Sequence, residues 1–185
     1  MHKFHPDNAI RLERAERYQL IPPRETLQRF GVKQGMTVVD IGAGTGFFAR
    51  AAAELTGPSG HVYAADMAPA MVDHLQANGV PGHVTAVLSG EYTVPLSDGV
   101  ADLTLMAFVV HETPDIARFV AEAARVTKKG GSIVILEWTR QNEEHGPDER
   151  ERLDEQELLE TLSPRYRVRD HGTLNASHYF IVLTV

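Results

Sequence analysis

Val38-Val39-Asp40-Ile41-Gly42-Ala43-Gly44-Thr45-Gly46 decides the fold of this chain. A β-branched run that starts at Thr37 ends in glycines. The Ala-rich stretch Phe47–Leu55 (FFARAAAEL) then reads as a helix that Gly57-Pro58 stops. A strand turning into a helix through glycines reverses tightly and lets a ligand approach the backbone. The same glycines would also serve a purely structural turn, so their surroundings matter. The spacing is G-x-G-x-G. The third glycine of a dinucleotide fingerprint would fall at Phe47, where an aromatic ring obstructs both pyrophosphate approach and close helix packing. Asp40 stands two positions before the first glycine, and its carboxylate repels a pyrophosphate but suits a cation. No Gly-Lys-Ser/Thr follows, so the phosphate-loop pattern is missing too. The loop is expected to take a ligand that is positively charged and carries no phosphate there.

Outward from the loop, strand-like and helix-like segments alternate. His61–Ala65 is a second strand and Pro69–Gln76 a helix, with Met71, Val72 and Leu75 on its inner face. His83–Leu88 is a third strand. Asp102–Val109 is a fourth, apolar on both faces as a central parallel strand must be. Pro114–Thr127 is expected to be helical, with Thr113 as N-cap and Pro114 as first helical residue. Gly130-Gly131 should break it before a fifth strand, Ser132–Trp138. The alternation predicts an α/β fold, a doubly wound, mostly parallel sheet with right-handed crossovers, whose ligand lies at the carboxyl ends of the strands. Asp148–Leu162 reads as one charged helix. Tyr166–Asp170 and Tyr179–Thr184 read as an antiparallel closing hairpin around a Gly/Asn/Ser loop. Ahead of the first strand, Asp7 to Tyr18 and Arg24 to Phe30 look helical and are split by Pro22-Pro23. The division expected is an N-terminal helical lid segment, 1–34, and one ligand-binding domain, 35–185.

The chain has 185 residues, with 18 Lys+Arg against 25 Asp+Glu and a net charge of −7, so phosphate-driven nucleic-acid binding is not expected. Between Gln141 and Glu160 lie nine acids and two bases, so the whole excess sits in that one segment. Cysteine is absent, which excludes disulfides, thiolate metal sites and a cysteine nucleophile. The polar N-terminus does not read as a signal peptide, and the longest apolar run, Leu103–Val110 with Thr104 inside it, is strand-sized. A cytoplasmic protein with no membrane span is expected. The histidines do not fall at ligand spacings, and no metal is expected.

Asp66 ends the second strand, 20 residues after Gly46. An acidic side chain there accepts hydrogen bonds from the ribose hydroxyls of an adenosine, and capping the next helix is a compatible role. Met67 is placed to cover an adenine face.

VVDIGAGTG, then VYAADMAPAMVD, then AVLSGEYTVPLSDGVADLTLMAF, then RVTKKGGSIVILEW resembles the class I S-adenosylmethionine-dependent methyltransferases. Within them it looks closest to the small-molecule group related to the quinone-biosynthesis enzymes. The resemblance runs from about Gly35 to Trp138 and implies a seven-stranded sheet with its last strand antiparallel. It implies that Asp40 and the loop Gly42, Ala43, Gly44 and Gly46 hold the amino-acid end of S-adenosylmethionine. Asp66 would take the ribose, Met67 the adenine, and Ala107 and Phe108 the methionine part. Where such enzymes carry an acidic residue after the third strand, this chain reads Ser89-Gly90-Glu91, so either Glu91 or backbone at Gly90 would make the contact. N-terminal segments often cover the cofactor in this family, which would give His2, Phe4, His5 and Tyr18 a lid role.

Methyl transfer from a sulfonium needs alignment, and a base only where the acceptor loses a proton. No Asn/Asp-Pro-Pro-Tyr follows the fourth strand, and the metal-binding carboxylates of catechol-type enzymes are missing. None of the five tyrosines has a lysine four residues on, against a short-chain dehydrogenase. His111 and Glu112 follow the fourth strand directly and are the catalytic candidates. His111 would position the acceptor or take its proton, or else hydrogen-bond its own loop. Glu137 and Trp138 would wall the acceptor side. A small-molecule methyl acceptor is thus expected, with no nucleic-acid partner. The rivals are a non-catalytic cofactor-binding module and an NAD-type oxidoreductase.

Overall fold

The computed structural model describes residues 15–141, 143 and 146–185. The start of the expected first helix, with His2, Phe4 and His5, lies outside the described residues.

Strand β1 (Thr37–Ile41) leads into helix α3 (Phe47–Thr56), β2 (His61–Asp66) into α4 (Pro69–Ala77), and β3 (Val84–Leu88) runs on to β4 (Ala101–Ala107). Helix α5 (Ile116–Val126) precedes β5 (Thr127–Trp138). Helix α6 (Glu155–Leu162) precedes the hairpin β6 (Arg167–Asn175) and β7 (His178–Thr184). Two short helices, α1 (Ala15–Leu20) and α2 (Pro23–Arg29), come first. The seven strands form one sheet in the order β3-β2-β1-β4-β5-β7-β6. The first five are parallel, and β7 is antiparallel to both β5 and β6. The doubly wound sheet and its closing hairpin are as expected. The order reverses between β1 and β4, so a crevice opens beyond their carboxyl ends.

Strand periodicity divides the core in two. Val38, Leu103, Leu105, Val134 and Leu136 face α3 and α2, while Val39, Met106, Ile133 and Ile135 face α5 and α6. Both faces are covered, which is why the central strands read as unbroken apolar runs. Leu27 of α2 and Phe30, which caps its end, are buried in the first half of this core. Helix α2 therefore belongs to the body of the domain, and α1 is the part that lies over the cleft described below.

Several boundaries differ from the sequence reading. Helix α5 begins at Ile116 because Asp115, not Thr113, caps it: the Asp115 carboxylate accepts the Arg118 N–H, and Thr113 Oγ1 accepts the Asp115 N–H. The helix ends at Val126, before the glycine pair. The Thr127 hydroxyl donates to the Ala123 carbonyl and meets Thr104 Oγ1 at 2.7 Å. Gly130-Gly131 bends β5 instead of ending the helix, since pairing passes from Ala101↔Thr127 to Leu103↔Ser132 and Gly130 N–H donates to the Val185 carbonyl. The hairpin strands are longer than expected, with only Ala176 and Ser177 between them. Pairing with buried β7 satisfies the backbone of the Gly- and Asn-containing stretch that composition alone assigns to a loop.

The acidic stretch is not one helix. A single turn at Glu149–Glu151 is followed by α6, whose cap, Asp154, accepts the N–H groups of Gln156 and Glu157. Between them Arg152 turns inward and is only 2% exposed. Its guanidinium donates to the carbonyls of Thr139 and Pro147 and to Glu143 Oε2, and it lies 5.0 Å from the Trp138 ring centre. Arg152→Leu leaves two part-buried carbonyls and a carboxylate without this donor. It is expected to lower unfolding free energy by about 2–3 kcal/mol, read as a lower urea midpoint at unchanged m-value.

Candidate functional site

The turn after β1 is tied to the end of β2: Gly42 N–H and Ala43 N–H both donate to the Ala65 carbonyl, at 2.8 and 3.0 Å. Gly42 has φ +78°, and a Cβ there would stand 2.6 Å from Val109 Cγ2, so the loop lies directly against the segment that leaves β4. Gly46 has φ +91°, and its missing Cβ makes room for Leu75 of α4 at the start of α3. Gly46 therefore packs elements together and does not line the cleft.

Asp66 ends β2 at 9% exposure. One carboxylate oxygen accepts the Gly44 N–H at 2.8 Å and the other the Ala68 N–H at 2.9 Å. It thus shapes the approach to α4 without capping that helix, whose N-cap is Ala68. Burial pushes the Asp66 pKa up, against these backbone hydrogen bonds. Asp40 is more deeply placed, 2% exposed, and its Oδ2 has no hydrogen-bond partner. Burial first, then the charge of Asp66, raises its pKa to about 7, opposed by Arg17 and by a hydrogen bond from the Ala49 backbone.

Arg17 comes from α1. Its guanidinium sits 4.1 Å from the Phe47 ring centre and 5.9 Å from that of Phe108. Burial lowers its pKa to about 10, with Asp40 acting in the other direction. Sequence reasoning missed Arg17: in an Arg- and Glu-rich helix nothing marks one arginine as inward-facing, and only the neighbouring Tyr18 was singled out.

These groups border a cleft of about 300 Å³. Gly42, Ala43, Gly44, Asp66 and Met67 line one side, and Gly90 and Glu91 continue it beyond β3. Ala107, Phe108 and Glu112 line the side facing β4, and Arg17 completes the lining from above. Most sequence-predicted positions therefore converge on one place. Asp40 lies beneath the cleft, and Gly46 lies outside it. Phe108 has φ +59°, the only non-glycine with positive φ among the described residues. Such a conformation is costly and tends to be held where a side chain must be aimed. Its ring stacks toward Phe48, Trp138 and His178.

His111 and Glu137 form a buried pair outside the cleft lining. Glu137 is fully buried and accepts the His111 N–H at 3.1 Å, His111 Nδ1 at 2.8 Å and, more weakly, the Trp138 N–H at 3.3 Å. The His111 side chain is 8% exposed. Burial acts to lower its pKa, but Glu137, with Glu112 and Glu151 behind it, raises it overall. The geometry places His111 in a pair with Glu137, outside the cleft lining. Glu137 is likewise a holding group and not a wall. Trp138 does stand beside Phe108, at 5.7 Å between ring centres.

The residues present fit an adenosyl sulfonium. An unpaired buried carboxylate oxygen lies under the glycine loop, a second carboxylate ends β2, and no phosphate-binding pattern adjoins them. An α/β crevice with two carboxylates where a dinucleotide site has its phosphate turn defines a protein that binds a cationic nucleoside ligand. The chain belongs to the class I S-adenosylmethionine-dependent methyltransferases. A family model described as a methyltransferase domain matches residues 39–135, just over half of the chain. A solved S-adenosylmethionine-dependent methyltransferase from Aquifex aeolicus is 30% identical with a TM-score of 0.93, covering 99% of this chain and all of that one. The ubiquinone/menaquinone biosynthesis C-methyltransferase UbiE of Saccharophagus degradans is 33% identical over 119 residues, 62% of this chain and 48% of the relative. The demethylmenaquinone methyltransferase of Anoxybacillus flavithermus is 32% identical over 118 residues, 62% and 49% of the two chains. The matched stretch thus spans about half the length of these two curated relatives. The family assignment goes against the NAD-type oxidoreductase reading.

A cation bound beside Asp40 favours its ionised form. Below about pH 7 the ligand-free carboxyl is protonated, so binding must release a proton. Calorimetry in buffers of differing ionisation enthalpy is expected to show proton release with S-adenosylmethionine at pH 6 to 7. The affinity should fall by up to about tenfold per pH unit below that range.

Proposed function

We propose that this chain transfers the methyl group of S-adenosylmethionine to a carbon of a small, flat, aromatic acceptor. The single observation that carries the reading is the polarity of the cleft. Glycine-loop amides and the Asp66 carboxylate form one end, and the aromatic rings of Phe108, Phe48 and Trp138 gather beyond the other. Carbon as the reacting atom is supported by the relative named as a C-methyltransferase.

When bound, S-adenosylmethionine supplies an electrophilic methyl group and its own leaving group. Gly42, Ala43 and Gly44 receive its amino-acid end close to backbone, with Asp40 below as counter-charge and Arg17 above. Asp66 takes the ribose, Met67 and the Gly90–Glu91 turn the adenine, and Ala107 and Phe108 the part nearest the reacting carbon. Helix α1 covers the cleft through Arg17, and Asn175 Nδ2 holds it by donating to the Leu20 carbonyl. The expected lid role of residues 1–34 is thus proposed for α1. Glu112 faces the cleft from the segment after β4. His111, held by Glu137, keeps that segment in register and acts as a positioning residue.

No helix among the described residues is long and apolar enough to cross a membrane. A small-molecule acceptor reached from the cytoplasm, with no nucleic-acid partner, completes the proposal.

The test is an acceptor panel of hydroxylated aromatic compounds, scored by S-adenosylhomocysteine release and by the position of the new methyl group. Turnover with methyl on ring carbon is expected. Cofactor binding with no turnover on any member would instead support a non-catalytic binding module. On an accepted compound, His111→Gln is expected to lower kcat/KM by about tenfold to a hundredfold. A positioning role leaves the shape of the pH–kcat profile unchanged, whereas loss of one limb would restore the proton-transfer role.

A further inference from the structure

Helix α1 is six residues long; Glu16, Tyr18, Gln19 and Leu20 on it are exposed, while Arg17 turns in. Its contacts meet at Phe47, where the Arg17 guanidinium lies 4.1 Å from the ring centre and the Tyr18 ring 4.7 Å. Phe47 is buried, opens α3 and follows Gly46 directly. The residue that tells this loop from a dinucleotide turn is therefore also the platform on which α1 rests. At the last residue of α1, Asn175 Nδ2 donates to the Leu20 carbonyl at 2.9 Å, and the buried Ile21 fixes the connection to α2. Arg17 is the one base among the described residues that line the cleft, against three acids, Asp66, Glu91 and Glu112. It is near enough to Asp40 for each charge to act on the other. Burial brings its pKa down only to about 10, so it keeps its charge at neutral pH.

The glycine-loop end of the cleft is thus bracketed by opposite charges, with Asp40 beneath it and Arg17 over it. That pattern suits an α-amino acid, which carries an ammonium and a carboxylate on one carbon. A ligand carboxylate set among Asp40 and Asp66 alone would be repelled and left without hydrogen-bond donors of its own. A guanidinium is the side chain shaped to receive it, through two parallel hydrogen bonds. We propose that Arg17 is the specificity contact for the ligand's carboxylate and that this contact keys α1 to the ligand: a nucleoside with a zwitterionic amino-acid end holds α1 closed over the cleft, and one that lacks the carboxylate does not. Cover and ligand are then released together, since the bond that retains one retains the other. The proposal rests on reading the cleft as the S-adenosylmethionine site, so its test is arranged to fail separately.

The experiment measures binding to the full chain, by equilibrium dialysis, of S-adenosylhomocysteine and of its decarboxylated analogue, which keeps the ammonium and the thioether. The wild type is expected to bind S-adenosylhomocysteine about tenfold to a hundredfold more tightly than the analogue. Arg17→Gln is expected to bring that ratio to within about threefold, by weakening S-adenosylhomocysteine. Retained binding of the analogue shows that the cleft of the variant is intact. A second measurement needs no variant. The Ile21 amide donates to the Arg17 carbonyl at 2.8 Å, so its hydrogen exchange reports on α1. Exchange should slow by about tenfold or more at saturation with S-adenosylhomocysteine and stay unchanged at saturation with the analogue. No preference for S-adenosylhomocysteine in the wild type, a preference that survives in Arg17→Gln, equal loss of both compounds in that variant, or an Ile21 amide that responds to both or to neither would overturn the proposal. A wild type that binds neither compound would instead overturn the reading of the cleft itself.

Discussion

The Asp66 carboxylate holds the site together. Its oxygens accept one N–H from the glycine loop after β1 and one from the turn into α4, so a single side chain fixes the separation of two neighbouring strand ends. The loop is also fixed from below, where Gly42 and Ala43 share the Ala65 carbonyl. Three constraints within one crevice leave the loop little freedom, and a preformed backbone cradle needs little reordering to receive a ligand. The arrangement has an electrostatic cost. Asp40 lies behind the same loop with an unpaired oxygen, and the charge of Asp66 adds to the resistance of Asp40 to ionisation. Such a pair is tolerable because a counter-charge is supplied: Arg17 in the protein itself, and a cationic ligand during function.

Much of this was legible in the sequence because it is written in backbone chemistry. Glycines at 42, 44 and 46 and an acid at 66 sit at positions where strand periodicity alone locates a sheet edge, and Phe47 tells the loop from a dinucleotide turn. The sheet order follows from β-α alternation, which the central strands signal by being apolar on both faces. What the sequence did not carry is long-range pairing. Arg17 reads as one more charge on a solvated helix, yet it lies 4.1 Å from the Phe47 ring centre. His111 reads as an open catalytic group because Glu137, 26 residues later, cannot be matched to it without β4 and β5 side by side. The Gly130-Gly131 pair was read as a helix breaker because local rules assign glycine to helix ends. The bulge it forms is visible only with the β5–β7 ladder and the Val185 carbonyl in place.

The aromatic cluster behind Phe108 is built from the part of the chain that local rules describe least well. Phe108 follows β4, Trp138 ends β5 and His178 begins β7, and the closing hairpin is what brings the third beside the other two. Position in the sheet therefore gives the hairpin a role beyond closure. Its first residue on β7 reaches the aromatic wall, and the last residue of β6, Asn175, reaches the covering helix.

The negative charge of the chain takes its meaning from the same geometry. All of the excess lies between Gln141 and Glu160, the stretch that follows β5 and returns through Arg152 to Trp138. Its charges divide by direction. Arg152 and Glu143 turn inward, where Glu143 Oε1 accepts the Ser177 hydroxyl and Oε2 the Arg152 guanidinium, next to His178. Asp148 and Arg150 satisfy each other outside. The segment is thus internally paired where it turns inward beside Trp138 and carries its net negative charge on the outside.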